Sequence, residues 1–248
     1  MQKLSIKAKT ELYIQKLIGN IIFPILAILV VFYFRFVRKY KISELAKIRK
    51  FYREVHKKKE PILICPNHLT FIDSAIIAWA LGGSIFYSLR FRTFPWNIPA
   101  KENVERNLLF RIIAYLTKCI LFERNGTQEH KELVMNKLKY LLKKNEPVCI
   151  FIEGTRSPTG RILKDQIHYG VGQLLYEVPN TKVLVIYLRG EKQKEKSVFP
   201  EKDQKFYIQY KLLEPRTQQK GIRAHRELTL QILDELLRME NEYFSSAR

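Results

Sequence analysis

Cysteine is scarce in this 248-residue chain, and its scarcity argues against two kinds of site. The three cysteines, Cys65, Cys119 and Cys149, are an odd number and lie far apart within apolar segments. This spacing offers neither a disulfide framework nor a paired set of metal ligands. We therefore expect a reducing, cytoplasm-facing environment and no metal site.

The sequence also lacks internal repeats and low-complexity tracts. Hydrophobic residues make up 46% of the chain and charged residues 27%, which is typical of an ordered globular protein and not of a disordered or fibrous one. We expect one main domain with appendages.

Acidic residues are few relative to basic ones, with 24 Asp and Glu against 44 Lys and Arg and a net charge of +20 at pH 7. A surface this basic requires polyanionic partners, and nucleic acid and anionic lipid are the two candidates. Eleven of the Lys and Arg residues lie within residues 35–59, directly after an apolar run. Because of this placement, we expect anionic membrane lipids as partners and no nucleic acid.

The apolar run Leu17–Phe34 contains eighteen residues without a charge. As a helix it would extend roughly 27 Å, close to the hydrocarbon thickness of about 30 Å of a bilayer. Asn20 and Pro24 suit a half-inserted anchor as well as a span, because proline kinks a helix and frees a carbonyl group. A buried core helix is a third interpretation. The basic flank predicts a membrane protein whose body lies on the cytoplasmic face.

After residue 59, short apolar segments alternate with helical stretches, which predicts an α/β fold with a mostly parallel central sheet flanked by helices. We divide the chain into an N-terminal membrane anchor with its basic segment, residues 1–59, and a main domain, residues 60–248. The predicted strands are Pro61–Cys65, Ser84–Phe91, Lys118–Phe122, Pro147–Ile152, Lys182–Leu188 and Phe206–Leu213. The other predicted elements are a helix over Thr127–Lys144, an exposed loop over Glu191–Gln204 and a closing helix over Gly221–Phe244.

The first segment with chemical potential is NHLTFID, residues 67–73, which follows the first predicted strand. Five helical steps would leave His68 and Asp73 roughly 140° apart, so we expect His68 in a loop and Asp73 in the first turn of a helix. One interpretation is structural, with Thr70 and Asp73 forming a capping box. The other is catalytic, with Asp73 fixing the tautomer of His68 so that its second nitrogen takes a proton from a hydroxyl.

The second segment is FIEGTRS, residues 151–157, again directly after a predicted strand. Gly154 permits a tight turn, Thr155 offers a hydroxyl group and Arg156 offers a planar guanidinium group suited to phosphate. An ordinary polar turn is the alternative. Arg124 and Arg189 also follow predicted strands, but a single arginine in that position is expected to be a solvated surface residue.

Taken in order, NHLTFID, AKE at residues 100–102, FER at residues 122–124, FIEGTRS and the apolar strand at residues 183–190 resemble the four-block signature of the glycerolipid acyltransferase superfamily. The resemblance covers about residues 61–190. It implies that His68 is the catalytic base and Asp73 its orienting partner. The substrate-binding positions that it implies are Lys101, Arg124, Glu153, Gly154, Thr155 and Arg156.

The resemblance further implies a glycerol-phosphate acyltransferase-like fold and transfer of an acyl group from acyl-CoA or acyl carrier protein to a lysophospholipid hydroxyl. The expected acceptor is 1-acylglycerol-3-phosphate, and the expected product is phosphatidic acid. A lyso-ornithine lipid or lysophosphatidylglycerol is an alternative acceptor. No cofactor is implied beyond the thioester co-substrate.

Three positions depart from the family pattern. Ile152 stands where the family usually has proline, Lys118 stands where a glycine commonly opens the second block, and the segment at residues 183–188 lacks an expected proline. None of these departures removes a reacting group, so they bear on substrate identity more than on catalysis.

Two other classes of protein fit the sequence less well. A hydrolase that used His68 and Asp73 would need an activated serine or cysteine, and the sequence has no Gly-x-Ser-x-Gly elbow. A non-catalytic basic protein that binds membranes or nucleic acid would account for the charge. It gives no reason for the polar residues at successive strand ends.

Overall fold

A six-stranded sheet forms the centre of the computed structural model, which describes residues 4–164 and 167–246. The strands are β1 (Lys41–Ile42), β2 (Ile62–Pro66), β3 (Trp96–Asn97), β4 (Val148–Cys149), β5 (Lys182–Gly190) and β6 (Lys205–Leu213). Their spatial order is β1-β6-β5-β2-β4-β3, and every neighbouring pair is parallel except β5 with β6. The predicted α/β fold with a mostly parallel sheet is therefore confirmed.

Helices flank both faces of this sheet. They are α1 (Ile6–Phe32), α2 (Leu45–Lys57), α3 (Asp73–Leu81), α4 (Gly83–Leu89), α5 (Lys101–Val104), α6 (Leu108–Leu116), α7 (Gln128–Lys143), α8 (Gly170–Glu177) and α9 (Gly221–Ser246). A π-helical turn (Tyr33–Val37) continues α1, and a 3-10 turn (Phe91–Thr93) follows α4. The predicted helices around α7 and α9 are confirmed.

The strand β2 lies between two hydrophobic cores, which explains why it is apolar at successive positions instead of alternating with polar residues. Leu63 and Cys65 belong to the core beneath α7, α8 and α9. Ile62 and Ile64 belong to the core beneath α2, α3 and α4. All four side chains are buried, so β2 is a rigid support for the loop that follows it.

The helix α1 is buried along one side and exposed along the other. Ala8, Leu12, Phe23 and Ala27 face the protein, whereas Ile25 and other large apolar side chains are exposed. Together with its π-helical turn, this is the one helix of the described residues that is long and apolar enough to cross a membrane, judged by length and composition. Its mean hydropathy reaches 2.5 over eighteen residues, which supports membrane association.

Two predicted strands are wrong or incomplete. The segment Ser84–Phe91 is helical, because the four-residue spacing of Tyr87 and Phe91 brings both rings against Phe23 of α1. The segment Lys118–Phe122 makes only isolated bridges, from Cys119 to Asn97 and from Phe122 to Ala100. The strand predicted over Pro147–Ile152 exists but is limited to β4, while the other predicted strands are confirmed to within a few residues.

Candidate active site

His68 and Asp73 meet beyond the C-terminal end of β2. The strand ends at Pro66 and α3 begins at Asp73, so His68 lies in the intervening loop, as its spacing predicted. The Nδ1 atom of His68 lies 3.0 Å from Oδ2 of Asp73. The N-cap of α3 is Ile72 and not Thr70, so the capping-box interpretation is wrong about the cap.

The carboxylate of Asp73 is a buried acceptor on which several donors converge. Besides His68, its Oδ2 accepts the backbone N–H groups of Leu69 at 2.6 Å and Thr70 at 2.8 Å. Its Oδ1 accepts the Thr70 hydroxyl at 2.5 Å. Because an ionised carboxylate only accepts hydrogen bonds, the Nδ1 atom of His68 carries the proton and Nε2 has the free lone pair. This arrangement can remove a proton from a hydroxyl group.

Two contacts that the sequence did not reveal hold the histidine loop. The Asn67 side chain is buried and donates to the Leu188 carbonyl at 3.1 Å, while it accepts the Leu188 N–H at 2.7 Å. The Phe151 ring stacks on the His68 imidazole, with the centroids 4.1 Å apart. An amide directly before the histidine was the available signal for Asn67, but its partner lies 121 residues away.

The segment FIEGTRS forms a turn that is hydrogen-bonded to the histidine loop. The N–H of His68 donates to Oε1 of Glu153 at 2.8 Å, and the N–H of Ser157 donates to the His68 carbonyl at 2.9 Å. The Glu153 side chain is 2% exposed. Burial is the main cause that raises its pKa to about 8, and the charges of Asp73 and Glu240 raise it further. Glu153 therefore joins the two segments.

Glycine is required at position 154 of this turn. Gly154 has a φ of +63°, in the region that other residues rarely adopt. A Cβ atom added there would also lie 2.4 Å from Cδ2 of His168. Thr155, the next residue, is half-buried. His168 was not singled out in the sequence, although its ring shapes the space around the turn.

The predicted phosphate-binding side chains reach this turn from separate parts of the chain. Arg124 donates from Nη2 to the Gly154 carbonyl at 2.8 Å, so it lies beside the segment that carries Arg156. Lys101 is paired with Glu123 at 2.5 Å, and this hydrogen bond is the main cause that raises the Lys101 pKa. The structure therefore gathers Arg124 and Arg156 at one turn, while Lys101 is engaged by a carboxylate next to Arg124.

The segment Glu191–Gln204 is mostly exposed, as predicted, but part of it packs on the site. The N–H of Ser197 donates to the Leu69 carbonyl, and the N–H of Phe71 donates to the Val198 carbonyl, each at 3.2 Å. Arg156 donates from Nη1 to the Ser197 carbonyl at 3.3 Å. This segment therefore borders both the histidine loop and the arginine-bearing turn.

The expectation that Arg189 is solvated is wrong. Its side chain is 6% exposed, and its guanidinium group donates to the carbonyls of Gly160 and Gln193. The same group lies 4.6 Å from the centroid of the Phe244 ring. Arg189 therefore joins the end of β5 to α9. Among residues 4–164 and 167–246, no group of three or more His, Cys, Asp or Glu side chains is placed to hold a metal ion.

Comparison with known proteins agrees with this geometry. A family model described as Acyltransferase matches residues 47–208, which include the histidine loop, Arg124 and the turn at residues 153–156. No curated protein sequence matches the chain. Because the matched region covers more than half of the sequence, the chain belongs to the glycerolipid acyltransferase family and is an acyltransferase.

Proposed function

We propose that this acyltransferase transfers a fatty acyl group from acyl-CoA or acyl carrier protein to the free hydroxyl of 1-acylglycerol-3-phosphate, giving phosphatidic acid. The observation that carries the proposal is the His68–Asp73 pair at 3.0 Å, hydrogen-bonded through Glu153 to a turn at which two arginines gather. One element of this group can activate a hydroxyl, and the other can hold a phosphate.

In the proposed reaction, Nε2 of His68 accepts the proton of the glycerol hydroxyl while its oxygen attacks the thioester carbonyl carbon. A C–O bond forms and the C–S bond breaks. The thiolate that leaves takes the proton back from the imidazolium, so no protein residue is changed. Asp73 stabilises the imidazolium, and general-base catalysis of this kind contributes about 10² to 10⁴ in rate.

Arg124 and Arg156 are proposed to hold the acceptor phosphate. Each guanidinium group has five N–H donors in a planar fork, and the structure gives Arg124 one bond to Gly154 and Arg156 one bond to Ser197. Donors therefore remain for a phosphate, which such forks bind in two places at once. Positioning the phosphate would orient the glycerol hydroxyl toward His68. The proposal requires only the thioester co-substrate.

Membrane association of the proposed enzyme rests on an exposed apolar face. The helix α1 packs against α4 and α6, and Ile25, Leu29, Leu108 and Ile112 are exposed on these helices. Because the buried side of α1 contacts the protein along most of its length, we propose that α1 lies in the plane of the bilayer interface and does not cross it. A position on the cytoplasmic face follows from the basic residues beside α1.

An acyl-transfer assay of the detergent-purified full chain tests the function. The acceptors are lysophosphatidate, lysophosphatidylglycerol, a lyso-ornithine lipid and phosphate-free monoacylglycerol, each with acyl-CoA and acyl carrier protein donors. We expect transfer to lysophosphatidate, its loss in His68→Ala and its retention in His225→Ala, a matched change on α9. Preference for another lysolipid would overturn the acceptor, whereas activity that is unaffected by His68→Ala would overturn the mechanism.

A further inference from the structure

A second recess lies away from His68, between the C-terminal end of α1, α2 and the connection from α3 to α4. It is an open cleft of about 800 Å³. Trp79 and Gly82 line the cleft near the C-terminal end of α3, whereas Asp73 begins that helix. Eight helical steps separate Asp73 from the end of α3, or about 12 Å. The cleft is therefore distinct from the candidate active site.

The cleft is lined by an unusual concentration of positive charge. Six of its lining residues are basic, namely Arg35, Lys41, Arg49, Arg53, Lys57 and Arg90. None of the lining residues in the described part of the chain is Asp or Glu. Like charges this close repel one another, and the nearest described carboxylate on α2's first turn, Glu44, is paired with Lys47. Such a cluster is complementary to an anion that would bind among the arginines.

Arg49 gives this cluster a buried, incompletely bonded donor. Its Nη2 donates to the Trp79 carbonyl at 3.0 Å, but its Nε is buried without a hydrogen-bond partner among the described residues. A Cβ atom at Gly83 would lie 2.7 Å from Nη2, so the glycine leaves room for the guanidinium group. Burial, followed by the charge of Arg53 and a smaller effect of Arg35, lowers the Arg49 pKa. A bound anion would reduce both the repulsion and the unmet bonding.

The rim of the cleft is apolar and continues the proposed membrane face. Ile85 is 76% exposed and Leu89 is 80% exposed, and both belong to the cleft lining together with Val31. On the adjoining side of α1, Ile28 and Phe32 are also exposed. A ligand here would meet cations at one end and an apolar surface at the other. This is the chemical pattern of a phospholipid at a bilayer interface.

We propose that this cleft binds one anionic phospholipid of the bilayer, with its phosphate among Arg35, Arg49 and Arg53 and an acyl chain along Ile85 and Leu89. The site adds specificity to the membrane association argued above, because it selects the headgroup and not only an apolar phase. It does not depend on the reaction at His68.

Native mass spectrometry of the full chain in a non-ionic detergent, titrated with phosphatidylglycerol or phosphatidylcholine and without acyl donor, tests the proposal. We expect one phosphatidylglycerol to bind more tightly than phosphatidylcholine. The double substitution Arg35→Gln and Arg53→Gln should weaken its binding by about tenfold or more, because two charged hydrogen-bond donors are lost. The control Lys50→Gln and Lys58→Gln removes the same charge from exposed positions of the same segment, outside the cleft, and should leave binding unchanged.

A second pair of variants keeps the test independent of any folding defect. Leu89→Glu places a carboxylate at the exposed rim and should weaken phosphatidylglycerol binding, whereas Ile222→Glu on α9, also exposed, should not. Equal weakening by both lysine and arginine pairs would show diffuse attraction and overturn the discrete site. Equal binding of the two lipids would also overturn it, as would displacement of the bound lipid by coenzyme A, which would assign the cleft to the donor.

Discussion

Glu153 accepts the backbone N–H of His68 at 2.8 Å, and this hydrogen bond links the arginine-bearing turn to the histidine loop. The link is made by a side chain that is 2% exposed, and its pKa is raised to about 8, chiefly by burial. Over part of the neutral pH range, the folded protein therefore holds a proton here that the unfolded chain has released. The contact that organises the site also makes folding sensitive to pH.

The first prediction concerns this pH dependence. Because the folded pKa of Glu153 is raised above its ordinary value of 4.5, its stabilising contribution is complete below that value and is lost as the pH rises through about 8. Glu153→Gln keeps an acceptor for His68 but cannot ionise. The free energy of unfolding of the wild type should fall relative to the variant, by on the order of a few kcal/mol, between pH 5 and 8.5. Urea unfolding checks this, and parallel curves would contradict it.

The second prediction separates the charge of Asp73 from its hydrogen bonds. In Asp73→Asn, the amide oxygen can occupy the Oδ2 position, where His68, Leu69 and Thr70 donate, and the NH₂ group can donate to the Thr70 hydroxyl. The bonds survive but the charge that stabilises the imidazolium is lost, so we expect kcat to fall roughly 10²-fold.

Asp73→Ala serves as the comparison, because it leaves the buried donors of the loop without an acceptor and should also destabilise the protein by several kcal/mol. Acyl-transfer rates and thermal melting of both variants distinguish the two effects. If Asp73→Asn kept full activity while melting as early as Asp73→Ala, the role of Asp73 would be structural.

The third prediction tests the arginines at the turn. Arg124→Lys and Arg156→Lys keep the charge but lose the planar fork, so kcat/KM for lysophosphatidate should fall by the equivalent of about 1.5–3 kcal/mol. The KM for acyl-CoA should not change. Arg223→Lys, an exposed position in the first turn of α9, is the control. Equal relative use of lysophosphatidate and monoacylglycerol by all four proteins would show that neither arginine binds phosphate.

The fourth prediction concerns Lys118, which stands where the family commonly has glycine. Its φ of +56° explains the glycine, and its buried Nζ donates to the Phe94 carbonyl at 2.6 Å and lies 3.4 Å from Oε2 of Glu146. Burial lowers the Lys118 pKa to about 7 against the opposing charge of Glu146. Lys118→Gly relieves the backbone but leaves Glu146 short of a partner, so we expect a net loss of about 3–5 kcal/mol in urea unfolding. Unchanged stability would show that the backbone strain outweighs the ion pair.

The fifth prediction tests the apolar face of α1. Ile25 and Leu29 are 67% and 60% exposed, so Ile25→Glu with Leu29→Glu should weaken vesicle binding without disturbing the core. Ile222→Glu on α9 is the control for an exposed apolar residue outside this face. Co-sedimentation with vesicles of zwitterionic lipid isolates the apolar contribution, and undiminished binding by the double variant would place the membrane contact elsewhere.

The local sequence determined the parts of this protein whose partners are near in the chain. A continuous apolar segment predicted β2, the five-residue spacing placed His68 in the loop and Asp73 at the start of α3, and the periodicity at residues 127–144 predicted α7. In each case the backbone conformation follows from residues a few positions apart, because the helix and strand repeats are themselves local.

Tertiary structure decided the features that depend on distant residues. The segment Ser84–Phe91 is apolar enough for a strand, but its rings pack on Phe23, about sixty positions earlier, and only a helix presents them together. Arg189 is buried because Phe244 and the Gly160 carbonyl surround it, although a charged residue at a strand end normally reaches water. Likewise, the burial that raises the Glu153 pKa comes from the fold around it. Burial and electrostatic environment are properties of the assembled fold, so a one-dimensional pattern identified these residues without their surroundings.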